Sequence, residues 1–256
     1  MNFNFDASDF QRAWLQRALG EFHEDGWFTE ILYLAKGGKE ANVYCCKANP
    51  ETGYDLIAAK VYKHRRLRSM KNYAIYREGR HITSDKRELR ALKKKTRLGK
   101  SLEDGAWVKH EFETIARLFD MGANVPEPLA RGGTALLMEY IGDEHGAAPL
   151  LHETTLKSGK AQGFFDLLIH NVEIFLACDL IHGDLSAFNG LCWQDDFKVS
   201  DFPQAVDPAL NPSAFPMLVR DVERLCQYFS RYGVEASYVD LAADLWERFR
   251  RRELAV

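Results

Sequence analysis

No apolar run in this chain approaches the roughly 18 residues that a membrane-crossing helix needs. Five cysteines are too scattered for a disulfide framework: Cys45 and Cys46 adjoin, while Cys178, Cys192 and Cys226 stand alone. No Cys-x-x-Cys knuckle is present, so zinc is not expected and the thiols are read as small apolar fillers. Met1 to Asp9 carries acidic and polar residues where a secretory leader needs a basic start and an apolar run. The expectation is therefore a cytoplasmic protein with no membrane partner. Internal repeats and low-complexity tracts are lacking too.

What is there is an ordinary globular composition, 46% hydrophobic and 28% charged over 256 residues, long enough for one domain or two small lobes. The net charge of −3 conceals an imbalance. Between Lys60 and Lys100 sixteen Lys and Arg face three acids (Glu78, Asp85, Glu88), a local +13 against −16 elsewhere. Such clustering points to an anionic partner, RNA or a ribosomal particle, although a solvated loop has the same composition. Aromatic interleaving is thin, with only Tyr73 and Tyr76.

Apolar spacing at Trp14, Leu15, Leu19 and Phe22 predicts an opening helix over Phe10 to Phe28. A glycine turn, Gly37-Gly38, precedes two strands, Asn42 to Cys46 and Leu56 to Tyr62, joined through Asn49 to Gly53. Lys63 to Lys100 reads as a loop with short helical pieces, and Trp107 to Phe119 as a helix. Asn124 to Pro128 breaks the chain, Thr134 to Ile141 suits a buried strand, and Gly142 to Ala148 suits a hinge. Beyond it lie an apolar helix, Gly163 to Cys178, a hairpin through Gln194 to Asp196, and closing helices near Ala214 to Tyr232 and Ala236 to Arg251. The order predicts an α+β, compact, two-lobed protein-kinase-like fold. It is expected as one domain over 1–256, with a strand-rich N-terminal lobe (1–141, basic insert about 63–100) and a helical C-terminal lobe (142–256).

The chemistry concentrates in His182-Gly183-Asp184-Leu185-Ser186-Ala187-Phe188-Asn189. Phosphoryl transfer needs a carboxylate to orient the attacking hydroxyl and an amide oxygen to hold magnesium. Asp184 and Asn189, on one tight loop, fit these roles, though a capped turn uses the same residue types. Asp201, after the second hairpin, supplies a carboxylate able to bridge metal and phosphates. Gly37 and Gly38 before a strand would let backbone N–H groups approach a phosphate, or would simply make a turn. Lys60, inside an apolar strand, needs an anionic partner unless it reaches solvent. Helical spacing puts Glu111 on the stripe of Trp107, Ile115 and Leu118 and turns Glu113 away. Glu111 is thus the expected partner, holding Lys60 against nucleotide phosphates.

Together, Gly38-Lys39-Glu40-Ala41-Asn42-Val43-Tyr44, the loop 182–189 and Asp201-Phe202-Pro203-Gln204 resemble the RIO family of atypical Ser/Thr kinases. The likeness runs from about Leu34 to about Gly233 and includes Val219-Arg220-Asp221. Too few residues precede Gly38 for the winged helix of one family branch, so the other branch is the nearer. Lys36-Gly37 stand where many relatives have Ser-Thr. The resemblance implies ATP and Mg2+ (or Mn2+) as cofactors, a protein substrate or the chain itself as acceptor, and kinase or ATPase activity. It makes Asp184 the catalytic aspartate and Asn189 with Asp201 the metal ligands, Asp201 also being the site of a phospho-aspartate. Gly38, Lys39, Glu40, Ala41 and Val43 would line the phosphates, with Lys60 and Glu111 behind them. Met138, Glu139 and Ile141 would border the adenine, mainly through backbone groups.

Two other readings use the same residues. Small-molecule kinases of the aminoglycoside and choline type share an H-G-D…N loop, but need a helical insert for which the second half is short. A nucleotide-gated RNA-binding module would explain the basic segment and leave the intact set Lys60, Asp184, Asn189 and Asp201 without a purpose.

Overall fold

A computed structural model describes residues 1–63, 85–94, 96–157, 159–194 and 196–254. Most of the predicted basic insert therefore lies outside the described residues. The chain divides into two compact units. Of the described residues, the first takes those within 1–63, 85–113 and 126–147; the second takes those within 114–125 and 148–254.

In the first unit, helix α1 (Asp9–Glu24) starts where the Ser8 hydroxyl accepts the Gln11 N–H at 3.3 Å. It ends at Glu24, four residues before the expected Phe28, because Gly26 takes a left-handed turn with φ 78°. Phe28 instead opens strand β2 (Phe28–Gly37), which periodicity did not reveal. Register shifts at Phe28/Glu30, Ile31/Tyr33 and Leu34/Lys36 break its alternation and hide the period of two. Strands β1 (Asn2–Phe3), β3 (Ala41–Ala48), β4 (Leu56–Tyr62), β5 (Pro128–Gly132) and β6 (Ala135–Glu139) complete a sheet ordered β1-β2-β3-β4-β6-β5. Strands β7 (Gly142–Asp143) and β8 (Gly146–Ala147) form a small hairpin across the expected hinge residues.

Alternation sorts the sheet into two faces. Tyr44, Cys46, Ile57, Ala59, Val61, Ala135 and Leu137 pack with Leu15, Leu19 and Phe22 of α1. Cys45, Ala58, Tyr62, Leu136 and Met138 pack with Val108 on the other side. Lys60 falls on this second face by the period of two. All residues of β4 after Leu56 are buried, so Lys60 has no route along an edge to water.

Helix α2 (Lys86–Lys93) is capped by Asp85, whose carboxylate accepts the N–H groups of Arg87 and Glu88. Helix α3 (Arg97–Asp120) begins ten residues earlier than expected. Its first turns carry only a narrow stripe, Leu98, Leu102 and Ala106, amid charge, too weak a signal to read as helix.

The second unit is built on helix α4 (Ala161–Ala177), hairpin β9–β10 (Gly190–Trp193, Asp196–Val199), α5 (Ala214–Ser230) and α6 (Tyr238–Arg251). Its core joins Phe165, Val172 and Phe175 of α4 to Phe197, Phe202, Leu218, Leu225 and Phe229. All five cysteines are buried and free. Among the described residues no helix is long and apolar enough to cross a membrane.

Candidate functional site

In the first unit, the two-residue alternation of β4 and the 3.6-residue turn of α3 bring Lys60 and Glu111 face to face. Lys60 Nζ donates to Glu111 Oε1 at 2.6 Å, with side-chain exposures of 7% and 0%. The Tyr62 hydroxyl donates to the other oxygen of Glu111. Both oxygens of a fully buried carboxylate thus have a donor, which burial of a charge requires. Glu113, on the opposite helix face, is exposed and, among the described residues, meets Lys109.

At the end of β2, the Gly38 N–H donates to Ala41 O at 3.0 Å. A Cβ on Gly38 would meet that same oxygen at 2.7 Å, so the close approach needs glycine. Lys63 fastens the loop at two points: its Nζ donates to Gly38 O, and its backbone N–H donates to Glu40 O at 2.8 Å. Lys39 is exposed and Glu40 half-buried, while Ala41 is buried and Val43 pairs with Lys60 across the sheet. Met138 and Ile141 are buried near the end of β6. Glu139 turns to Glu127, accepting its N–H at 3.2 Å and donating its own to Glu127 O at 2.8 Å.

In the second unit, loop 182–189 is held from behind by α5. The stripe Ala214, Met217, Leu218, Asp221, Val222 and Leu225 is buried, and one member is an acid. Asp221 accepts the Gly183 N–H at 2.7 Å and the Leu185 N–H at 3.0 Å, and Arg220 donates to Gly183 O. Burial pushes the Asp221 carboxyl up to about 7, against the pull of those donors and of Arg220 and Arg224. Gly183 has φ 80°, a left-handed conformation that a side chain would strain. Asp184, between the two anchored residues, stays 44% exposed, and its Oδ1 meets Arg224 at 2.6 Å.

Around this loop, His182 is buried, its ring 4.7 Å from that of Phe202 and 6.4 Å from that of Phe175. That burial lowers its pKa to about 4, although Asp201 and Asp184 both pull the other way. Asn189 is buried, and its Oδ1 accepts the Ser186 hydroxyl at 2.9 Å. Ser200 ties the next loop to it, its N–H donating to Asn189 O at 2.8 Å and its hydroxyl at 3.1 Å. Asp201 follows at once, exposed and in the left-handed region at φ 76°. An L-residue enters that region at a cost of about 1–2 kcal/mol.

Asn189 and Asp201 are hard oxygen donors, the kind that Mg2+ takes. Two suffice only for a site that water and phosphate oxygens complete, which is how Mg2+ is usually held. Among the described residues no cluster of three or more His, Cys, Asp or Glu forms a cage of its own. The residues fit a metal that arrives with a phosphorylated ligand.

Asp221, Arg224, Tyr62, Lys63 and Ser186 were not assigned roles from sequence. Asp221 had a readable signal, an acid on an apolar stripe, the same pattern that selected Glu111. Arg224 had none.

A family model described as RIO domain matches residues 42–242. The match begins at Asn42 in β3 and runs to Ala242 in α6. Serine/threonine-protein kinase RIO1 of Caenorhabditis elegans is 29% identical over 205 residues, 77% of this chain and 36% of that protein. RIO-type serine/threonine-protein kinase Rio1 of Methanocaldococcus jannaschii is 29% identical over 217 residues, covering 83% of this chain and 67% of that protein. The chain thus spans little more than a third of the worm relative. The Rio2 kinase–ADP/Mg2+–phosphoaspartate complex of Chaetomium thermophilum matches at a TM-score of 0.65 and 17% identity, over 94% of this chain and 70% of that one. That likeness speaks for the kinase-like α+β fold alone. With the RIO domain matched across most of its length, this chain belongs to the RIO family.

Proposed function

We propose that this chain is an ATP- and Mg2+-dependent phosphotransferase of RIO type, an atypical Ser/Thr protein kinase, an ATPase, or both. The observation that carries the reading is the loop 182–189. Asp221 and Arg220 anchor its backbone on either side of Asp184, and the loop presents Asp184 as a half-exposed carboxylate. A loop built only as a connection has no need of a buried acid beneath it. The chain is proposed to work in the cytoplasm as one domain, with lobes 1–141 and 142–256.

In this reading Lys60, steadied by Glu111, contacts the phosphates. The backbone at Gly38, Lys39, Glu40, Ala41 and Val43 cradles them, and Met138, Glu139 and Ile141 border the base. Asn189 and Asp201 hold the metal, which, when bound, neutralises phosphate charge and orients the triphosphate. Asp184 orients the acceptor hydroxyl. The buried, neutral His182 adds no charge to the site. The acceptor is a protein, or the chain itself. The phosphoaspartate of the Rio2 complex motivates Asp201 as a self-acceptor.

RNA or a ribosomal particle is the proposed partner of the basic segment about 60–100. Among the described residues of that segment, Lys60 is engaged with Glu111 and Lys63 with Gly38 O.

The test is incubation with terminally labelled ATP and Mg2+, followed by separation of free phosphate, labelled chain and labelled candidate proteins. Label should appear in at least one fraction, and Asp201→Asn should reduce it about 100-fold or more. Hydroxylamine-sensitive label on the chain marks an acyl phosphate; resistant label marks Ser or Thr. Unchanged turnover in Asp201→Asn would remove that residue from the site, and a wild-type chain that turns over no ATP would overturn the reading.

A further inference from the structure

We infer that Arg224 is a positioning residue for the catalytic carboxylate, holding Asp184 by one oxygen and leaving the other to the acceptor. The inference rests on the phosphotransferase reading and adds a residue to it.

Three contacts lead from one helix to one loop. Arg220 of α5 donates to Gly183 O, Asp221 accepts the N–H groups of Gly183 and Leu185, and Arg224 donates to Asp184 Oδ1 at 2.6 Å. Positions 220 and 224 are one helical turn apart and so share a face. The element that fixes the loop backbone therefore also grips the side chain at its tip.

The grip has little to do with stability. The two side chains are 38% and 44% exposed, and pairs at that exposure add little to folding. Its content is orientation. The terminal torsion of an aspartate is broad and nearly two-fold, so a free carboxylate exchanges its oxygens readily. A guanidinium, planar and with fixed donors, removes that freedom. Asp184 Oδ2 has no hydrogen-bond partner among the described residues. That oxygen is the one available to an incoming hydroxyl. Misplacing a reacting group by about 1 Å can cost a hundredfold in rate, which sets the scale expected here.

The test compares wild type, Arg224→Ala, Arg224→Lys, Asp184→Asn and the Asp184→Asn/Arg224→Ala double variant, each by turnover at saturating ATP, KM for ATP and thermal melting. Arg224→Ala should lower kcat about tenfold or more, with KM for ATP within about twofold and the melting temperature nearly unchanged. Arg224→Lys, a point charge without the planar fork, should recover part of the loss. In the Asp184→Asn background, removing Arg224 should change the residual rate by less than about twofold, because the partner it orients is gone. A wild-type kcat in Arg224→Ala, or a loss that multiplies independently with Asp184→Asn, would overturn the inference while leaving the phosphotransferase reading intact. An inactive wild-type chain would sink both. Should Arg224→Ala fail to fold, Arg224→Gln takes its place in the same cycle.

Discussion

Each unit contains a short ion pair among its proposed functional residues, and the two pairs are alike in length and unlike in burial. Lys60–Glu111 and Asp184–Arg224 both measure 2.6 Å. The first is sealed between a sheet and a helix, with exposures of 7% and 0%; the second stands in water at 44% and 38%. In the dry pair each charge depends on the other, because removing one takes away an ionic partner where hydration is unavailable to replace it. The wet pair can lose either member and let solvent replace it. Distance alone therefore says little about what an ion pair does. Lys60–Glu111 is bound up with whether the first unit folds, and Asp184–Arg224 with where a carboxylate points.

The largest effect that would break this contrast is expected at the dry pair. Glu111→Ala should destabilise the chain by about 3–5 kcal/mol in denaturant unfolding, since it removes a buried carboxylate that both the Lys60 ammonium and the Tyr62 hydroxyl donate to. Lys60→Met with Glu111→Leu should recover much of that loss, because two apolar side chains need no partners. A Glu111→Ala chain as stable as wild type would mean that water reaches Lys60.

Acidity offers a second, smaller test inside the second unit. His182 has its pKa lowered from 6.5 to about 4 by burial. As pH falls below about 6.5 the unfolded chain takes the proton first, so this contribution to stability is complete above 6.5 and is lost by about 4. Asp221 works in the opposite direction. With its carboxyl raised to about 7, its contribution is present at low pH and is lost as pH rises through about 7. Because Asp221 is common to both chains, comparison with His182→Gln isolates the histidine. The stability advantage of wild type over His182→Gln should shrink by at most about 3 kcal/mol between pH 7 and 4. A constant difference would show a histidine open to water.

The smallest effect belongs to the wet pair. Arg224→Ala and Asp184→Asn should each change unfolding free energy by less than about 1 kcal/mol. A cost resembling that of Glu111→Ala would erase the distinction between the two pairs.

Much of this was legible beforehand, for an identifiable reason. Helical spacing chose Glu111 over Glu113, and the structure pairs the first with Lys60 while leaving the second to Lys109. Hairpin β9–β10, helix α4 and both closing helices fall where apolar periodicity and turn residues put them. Strand β2 escaped because three register shifts scramble its alternation, and the start of α3 because charge outweighs its stripe. The acid at 221 stood on an apolar face and within the likeness Val219-Arg220-Asp221, but was given no role of its own. Arg224 carried no pattern at all.

The order of chemistry-bearing segments, and the apolar face of the helix that carries Glu111, followed from the chain alone. Burial is non-directional and repeats with the backbone period, so local spacing reveals it. That Asp221 lies under Gly183, 38 residues away, and that Arg224 reaches Asp184 across 40, was decided only by tertiary structure. Hydrogen bonds depend on tenths of an ångström and on angle, and no local period encodes the meeting of groups so far apart in sequence.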